Sequence, residues 1–262
     1  MQVINNTPKR KFIPVEASIQ KIEDAIHDYE KSPKKQNYIH DLAYLYWLRG
    51  IKENRHEDWL KARALGIECL AEEEIFTLEF LHTDTLDWKL EDNFWDTTSS
   101  CSRYPETNLL DLPVTEKYLS CTTWVVLSWT KLIEYYHMPR GALDAIRVLY
   151  LASWLFAHRS CLDTPWLRYA IGTAQLHAYR DPRSPFGAEK LHRLGKETLQ
   201  DLWSEGMIGK YAFLDYLIFL LETDSVPQEE RAEIYQRLEE LGEDPLFEEM
   251  VMQLRRELEE LK

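Results

Sequence analysis

The chain has 262 residues and a formal net charge of −14, with 45% hydrophobic and 29% charged residues. This mixture is typical of a folded globular protein and excludes wholesale disorder. Only nine glycines occur. Glycine supplies the backbone conformations of phosphate-binding loops, and these few glycines do not form the glycine-rich pattern of a dinucleotide-binding or nucleoside-triphosphate-binding loop.

Two features predict a cytoplasmic location. The longest uncharged runs, 118–130 and 148–158, are shorter than the roughly 18–20 residues needed to cross a bilayer. The first residues, MQVINNTPKRKF, contain no apolar signal region. The four cysteines are widely spaced in a long chain, so we expect reduced, mostly buried thiols and no disulfide framework. They are Cys69, Cys101, Cys121 and Cys161.

Apolar residues recur with helical spacing between prolines and short polar stretches. In chain order, this pattern predicts helices over 15–31, 37–51, 59–74, 75–82, 115–137, 142–159, 165–179, 188–204, 210–223 and 227–241, with a last one opened by Asp244 and Pro245. No segment predicts a strand. We therefore expect an all-α fold of antiparallel helix pairs, forming a helical solenoid or an irregular multi-helix bundle.

The domain organisation follows from composition. A polar lead covers 1–14, and 15–262 forms a single all-helical domain. Within it, residues 92–113 are rich in Ser, Thr, Asn, Asp and Pro, which predicts an irregular loop.

One segment resembles a known repeat family. Leu42, Ala43, Tyr46 and Gly50 match the first helix of a tetratricopeptide-like repeat, and Ala62 matches the second after an insertion of about seven residues. The bulky Trp47 and Trp59 depart from the family pattern, and no other segment repeats it. The resemblance covers about one repeat and implies a protein-binding helical solenoid.

The strongest candidate for a partner-binding surface is the segment 72–96, where carboxylates alternate with aromatic residues. Such a run is also typical of a solvated face, but aromatic anchors within complementary charge are characteristic of interfaces. The predicted partner-binding residues are Glu72, Glu73, Glu74, Asp84, Asp87, Trp88, Glu91, Asp92 and Trp95.

The last helix is a second candidate. Phe247, Val251, Leu254, Leu258 and Leu261 follow a 4-3-4-3 spacing that predicts one continuous apolar seam. The seam either caps the helical stack, leaving mostly charge outside, or forms a homodimer through two heptads. We expect the internal role, so this helix is a weaker candidate for the partner-binding surface than the segment 72–96.

Three ExxH pairs raise an enzymatic alternative: Glu79/His82, Glu134/His137 and Glu189/His192. Two such pairs and two further Glu form the di-metal sites of carboxylate-bridged four-helix bundles. Their positions, at a helix end or in charged segments, argue against a shared site. We therefore predict no metal, no cofactor and no catalytic residue.

The function predicted from these features is a non-catalytic protein-binding scaffold or adaptor with an acidic, aromatic-studded surface. An inhibitor or immunity-type protein that neutralises a basic effector is a specific form of it. The predicted partner is a basic protein, because a negative field repels nucleic acids and membrane surfaces. A di-metal carboxylate enzyme is the alternative, and a purely structural subunit is a third interpretation.

Overall fold

The computed structural model describes residues 13–71, 116–136, 148–149, 151–156, 163–179, 188–222 and 226–260. These residues form helices and turns with no strand, which confirms the all-α prediction. The helices are α1 (Ile19–Glu30), α2 (Ile39–Glu53), α3 (His56–Ala71), α4 (Glu116–Tyr136), α5 (Pro165–Tyr179), α6 (Ala188–Gln200), α7 (Gly206–Glu222), α8 (Arg231–Gly242) and α9 (Glu248–Glu260). A 3₁₀ turn (Lys35–Tyr38) precedes α2, and residues 148–149 and 151–156 are also helical.

Local side chains set several helix ends. The Thr164 hydroxyl accepts a hydrogen bond from the Leu167 amide at 3.2 Å, and Pro165 is the first residue of α5, as the sequence predicts. The Ser18 hydroxyl accepts from the Lys21 amide at 3.4 Å and caps α1. Asn54 adopts the left-handed conformation with φ 51° and ends α2, so the chain turns at once into α3.

Helix α7 begins four residues before the predicted start at Lys210. Gly206, with φ 56°, is the first residue of this helix, and Gly209 lies in its first turn. Gly209 is needed for packing, because a Cβ atom there would lie 2.5 Å from the Leu202 carbonyl oxygen. Helix α7 is apolar on all sides, which is typical of a helix at the centre of a bundle.

The helices contact more than their neighbours in sequence. Helix α4 packs on α2, α3 and α5, and α7 packs on α5, α6 and α9. Buried apolar residues from Ile13 to Leu258 form one core cluster. The described chain is therefore a multi-helix bundle, the second of the two predicted architectures, and not a regular solenoid.

A disulfide joins α3 to α4, so the prediction of reduced thiols is wrong for Cys69 and Cys121. Both residues are completely buried, as predicted, with their Cα atoms 6.3 Å apart. Gly66 permits this approach, because a Cβ atom there would lie 2.4 Å from the Val125 side chain. The sequence could not indicate the pairing, since it arises from tertiary packing across 52 residues. Cys101 and Cys161 lie outside the described residues.

Carboxylates that bond to both a lysine and a tyrosine link the inner helices. Asp215 on α7 accepts from Lys131 of α4 at 2.8 Å and from the Tyr169 hydroxyl of α5 at 2.6 Å. Glu230 likewise accepts from Lys196 and from the Tyr216 hydroxyl. Each arrangement satisfies a charge that would be costly to leave unpaired near the core.

No helix in the described ranges is long and apolar enough to cross a membrane.

Candidate functional site

The predicted partner-binding surface lies outside the described residues. This applies to Glu72, Glu73, Glu74, Asp84, Asp87, Trp88, Glu91, Asp92 and Trp95. The predicted helix 75–82, the predicted loop 92–113 and residues 1–12 of the polar lead lie outside as well. For all of these segments the sequence-based expectation stays a prediction.

The ExxH pairs are only partly described. Glu79, His82 and His137 lie outside the described residues, and the side chains of Glu134 and Glu189 are not described. His192 lies on α6 with its ring 5.2 Å from that of Phe219; burial and then Lys196 lower its pKa. Within the described ranges, no three His, Cys, Asp or Glu side chains come together as a metal site would require. The di-metal alternative therefore stays untested.

The described residues contain a groove between the segment that precedes α1 and the turn before α9. We call it the N-terminal groove, and its volume is about 410 Å³. Its apolar lining comes from Ala17, Ile19, Met207 and Leu246, and its polar lining from Glu16, Ser18, Lys52 and Asp244.

One wall is the segment 13–19, which has no helix of its own before α1. The Tyr44 hydroxyl donates a 2.8 Å hydrogen bond to the Ile13 carbonyl oxygen and fixes this segment to α2. The Ala17 amide donates to the Pro14 carbonyl oxygen at 3.0 Å, which forms a tight turn. These bonds hold Glu16 and Ile19 at the groove.

The opposite wall is the turn 243–247, which Asp244 organises. Its carboxylate accepts from the Leu246 amide at 3.1 Å and from the Lys210 ammonium of α7 at 2.7 Å. The Lys210 hydrogen bond is the main reason that the pKa of Asp244 lies below its usual value. Phe247 is buried against Tyr211 of α7, with ring centroids 5.5 Å apart.

Both walls rest on an aromatic cluster at the meeting point of α2, α4, α5 and α7. Trp47 lies 5.9 Å from Trp124, 5.1 Å from Trp166 and 6.2 Å from Tyr211, measured between ring centroids. Tyr44 joins the cluster at 5.0 Å from Trp124. Because large rings in contact have little freedom, the cluster provides a rigid floor that fixes the spacing of the walls.

The tyrosines show that the acidic groups lie close to this floor. Burial, and then the charge of Glu16, raises the pKa of Tyr44. Burial, and then Asp244 and Glu16, raises that of Tyr211. The Tyr211 hydroxyl is buried and has no hydrogen-bond partner among the described residues.

Lys52 is the one cation among the residues that line the groove. Burial lowers its pKa, and the nearby carboxylates of Glu16 and Asp244 oppose that effect. Burial has the larger effect, so the pKa of Lys52 lies below its usual value although two carboxylates are near.

Helices α8 and α9, residues 226–260, form what we call the C-terminal helix pair. Their outer surface is strongly acidic: the exposed carboxylates are Glu229, Glu233, Glu239, Glu240, Glu243, Glu248, Glu249, Glu259 and Glu260. Of the four arginines in the same stretch only Arg256 is exposed. This surface therefore carries a large negative potential.

The same pair also carries exposed apolar side chains. Leu246, Met250 and Met252 are 42%, 44% and 47% exposed, and no other large hydrophobic residue in the described ranges is exposed. Four residues of the predicted seam, Phe247, Val251, Leu254 and Leu258, are buried within the chain, as expected for its internal role, and the fifth, Leu261, lies outside the described residues. Mostly charge remains outside, as expected, but Leu246, Met250 and Met252, which lie off the 4-3-4-3 spacing, are exposed as well. A dimer through α9 would have to use this outer face.

A smaller cleft of about 220 Å³ lies between α7 and α8. The Arg237 guanidinium stacks on the Trp203 ring at 4.4 Å from its centroid and pairs with Glu233 at 3.1 Å. The protein's own side chains thus satisfy one another here, and the N-terminal groove is the stronger candidate.

No protein-family model matches this chain, and neither a curated protein nor a solved structure is similar enough to count as a match. The tetratricopeptide resemblance receives no support from these comparisons. In the structure, Leu42, Ala43 and Tyr46 are buried, and Gly50 lies against the Trp59 ring. These residues explain how α2 packs on α3, without indicating a repeat.

Proposed function

We propose that this protein is a non-catalytic scaffold or adaptor that binds a basic protein through its C-terminal helix pair. The observation that carries the proposal is the coincidence of nine exposed carboxylates with the three exposed apolar residues Leu246, Met250 and Met252. Interfaces combine apolar contacts, which hold a complex, with complementary charge, which speeds encounter and selects partners. An inhibitor that neutralises a basic effector is a specific form of this proposal.

The experiment is affinity capture from the native host with three baits: wild type, a variant of the C-terminal helix pair that we call the hairpin variant, and a matched control. The hairpin variant carries Glu239→Lys, Glu243→Lys and Glu248→Lys. The control carries Asp24→Lys, Asp28→Lys and Glu57→Lys, which are equally exposed but lie on α1 and α3. Both variants change the net charge by the same amount.

We expect at least one basic protein to bind wild type and the control, to be lost with the hairpin variant, and to dissociate as salt rises. Mass spectrometry identifies it, and equal loss with both variants would show only a response to net charge. Proteins that bind all three baits equally would contradict the proposal.

The proposed location is the cytoplasm. Disulfides are rare there because thiols are kept reduced, but the Cys69–Cys121 bridge is completely buried and so is shielded from reductants in the folded protein. Rapid alkylation of intact host cells, followed by peptide mapping of each cell fraction, tests both the location and the bridge. Finding the bridged protein only outside the cytoplasm would overturn this assignment.

A further inference from the structure

We propose that the N-terminal groove, together with Leu246 and Met250 at its edge, receives a basic amphipathic helix of the partner protein. The inference rests on the proposed function, because it names the kind of segment that the acidic surface recognises. It adds a defined place and a defined chemistry to that function.

The groove is connected through the turn 243–247 to the exposed side chain of Met250 in α9. Leu246 lines the groove, and Met250 follows it four residues later. The Phe247 amide bonds to the Asp244 carbonyl oxygen and the Val251 amide to that of Phe247, so Leu246 lies in the turn that leads directly into α9, and Met250 lies in the first turn of that helix. Leu246 and Met250 therefore extend the surface that Ala17, Ile19 and Met207 begin.

The size of the groove suits several apolar side chains of one helix. Its volume of about 410 Å³ lies within the roughly 300–1,000 Å³ range of ligand-binding pockets. Methionine side chains are unbranched and polarizable, so Met207 and Met250 adapt to side chains of different shape. An amphipathic helix places such anchors at positions i, i+3, i+4 and i+7.

Charge decides which helix fits. The exposed carboxylates of Glu16, Glu243, Glu248 and Glu249 are next to the groove-lining residues in sequence or belong to them. Asp244 is already paired with Lys210, and the Lys52 charge is opposed by Glu16 and Asp244. With Lys52 and the exposed Lys21 counted against these carboxylates, the net charge around the apolar surface is negative, which favours lysine and arginine on the flanks of the incoming helix.

The rest of the described chain favours a helix over an extended peptide. Strand addition requires an exposed sheet edge, and the described residues form no strand. Both walls are instead non-helical segments that lead directly into packed helices, 13–18 into α1 and 243–247 into α9, so a further helix can pack beside the ends of these two helices.

The experiment uses the full chain and a synthetic, fluorescein-labelled helix of about 18 residues, or five turns, with leucine on one face and lysine on the other. Fluorescence anisotropy measures its affinity. The contact variant is Leu246→Ser with Met250→Ser, and the matched control is Met252→Ser. Met252 is as exposed as Met250. Because it lies two residues further along α9, it faces a different side of the helix.

We expect the contact variant to bind about tenfold more weakly, the loss typical of apolar anchors, and the control to change affinity less than about twofold. Lys52→Met should tighten binding, because it removes a like charge from the groove. A matched helix with glutamate in place of lysine should not bind. Thermal unfolding confirms that each variant is folded.

Equal affinity of the contact variant and wild type, or equal binding of the glutamate helix, would overturn the groove assignment. If the hairpin variant still loses the host partner, the proposed function stands and only the assignment of the helix to the groove is wrong. If the contact variant does not weaken peptide binding and the hairpin variant loses no host protein, both the groove assignment and the proposed function are wrong. Conversion of a dimer to a monomer by the contact variant would show instead that a second copy of this chain covers the groove.

Discussion

Tyr44 and Tyr211 bring the same phenol group to the floor of the N-terminal groove, but only one hydroxyl is bonded. Tyr44 donates to the Ile13 carbonyl oxygen and fixes one wall. Tyr211 packs against Phe247 beneath the other wall, and its hydroxyl has no partner among the described residues. The two residues therefore separate the effect of a hydrogen bond from the effect of a buried ring.

The pair gives a prediction for stability. Tyr44→Phe should lower the free energy of unfolding by about 0.5–1.5 kcal/mol, since it removes a satisfied hydrogen bond. Tyr211→Phe should leave it unchanged or raise it, because a buried hydroxyl without a partner is unfavourable. Urea unfolding of the two variants measures both values. An equal loss in the two variants would show that the Tyr211 hydroxyl is bonded in solution.

At the scale of elements, the contact between α3 and α4 shows how a glycine and a disulfide act together. Gly66 lets the helix backbones approach, and the approach brings Cys69 and Cys121 within bonding distance. The bridge then closes a loop across 52 residues. Closing a loop of that length in the unfolded chain should stabilise the fold by about 4 kcal/mol in the chain-entropy model.

The matching prediction is that Cys69→Ala with Cys121→Ala lowers the free energy of unfolding by about that amount. Wild type unfolded in the presence of a reductant should show a similar loss, whereas the reductant should not affect the double variant. Because both cysteines are completely buried, the native protein should be reduced only slowly without denaturant. Rapid reduction under native conditions, or a reductant effect on the double variant, would contradict this account.

At the scale of the whole molecule, the periodicity of apolar residues predicted that the chain is helical, but it did not predict the groove or the exposed apolar residues. Apolar spacing between prolines predicted α5 with its observed bounds, and its start is set locally by Thr164 and Pro165. The start of α7 was missed because Gly209 lies within the helix, where it allows close contact with the backbone of the preceding turn at Leu202. Neither the disulfide nor the groove has a local pattern. The disulfide joins Cys69 of α3 to Cys121 of α4, and the groove brings together Glu16, Lys52 and Leu246, which are far apart in sequence.

The exposure of Leu246, Met250 and Met252 was missed for a related reason. The 4-3-4-3 seam indicates which residues of α9 face inwards, but it does not say whether apolar residues off the seam are covered by another element. In the described chain nothing covers them. Exposed apolar residues of this kind are a feature of interaction surfaces, and the proposed function relies on them.

The arrangement of the elements predicts an uneven stability across the molecule. The C-terminal helix pair meets the rest of the described chain chiefly where α9 packs on α7, with Lys196–Glu230 and Lys210–Asp244 as further links. Helices α4 and α5 are buried among several neighbours. Local unfolding begins where fewest apolar contacts are lost. Native-state hydrogen exchange should therefore show lower opening free energies for α8 and α9 than for α4 and α5.

The same measurement connects stability to the proposed interaction. A partner that binds only the folded helix pair stabilises it by mass action. Its addition should slow exchange in α8, in α9 and at residues 16–19, and should leave α4 unchanged. Equal opening free energies in α4 and α9 would contradict the predicted difference in stability. Protection that appears elsewhere and spares α9 would place the partner on another surface.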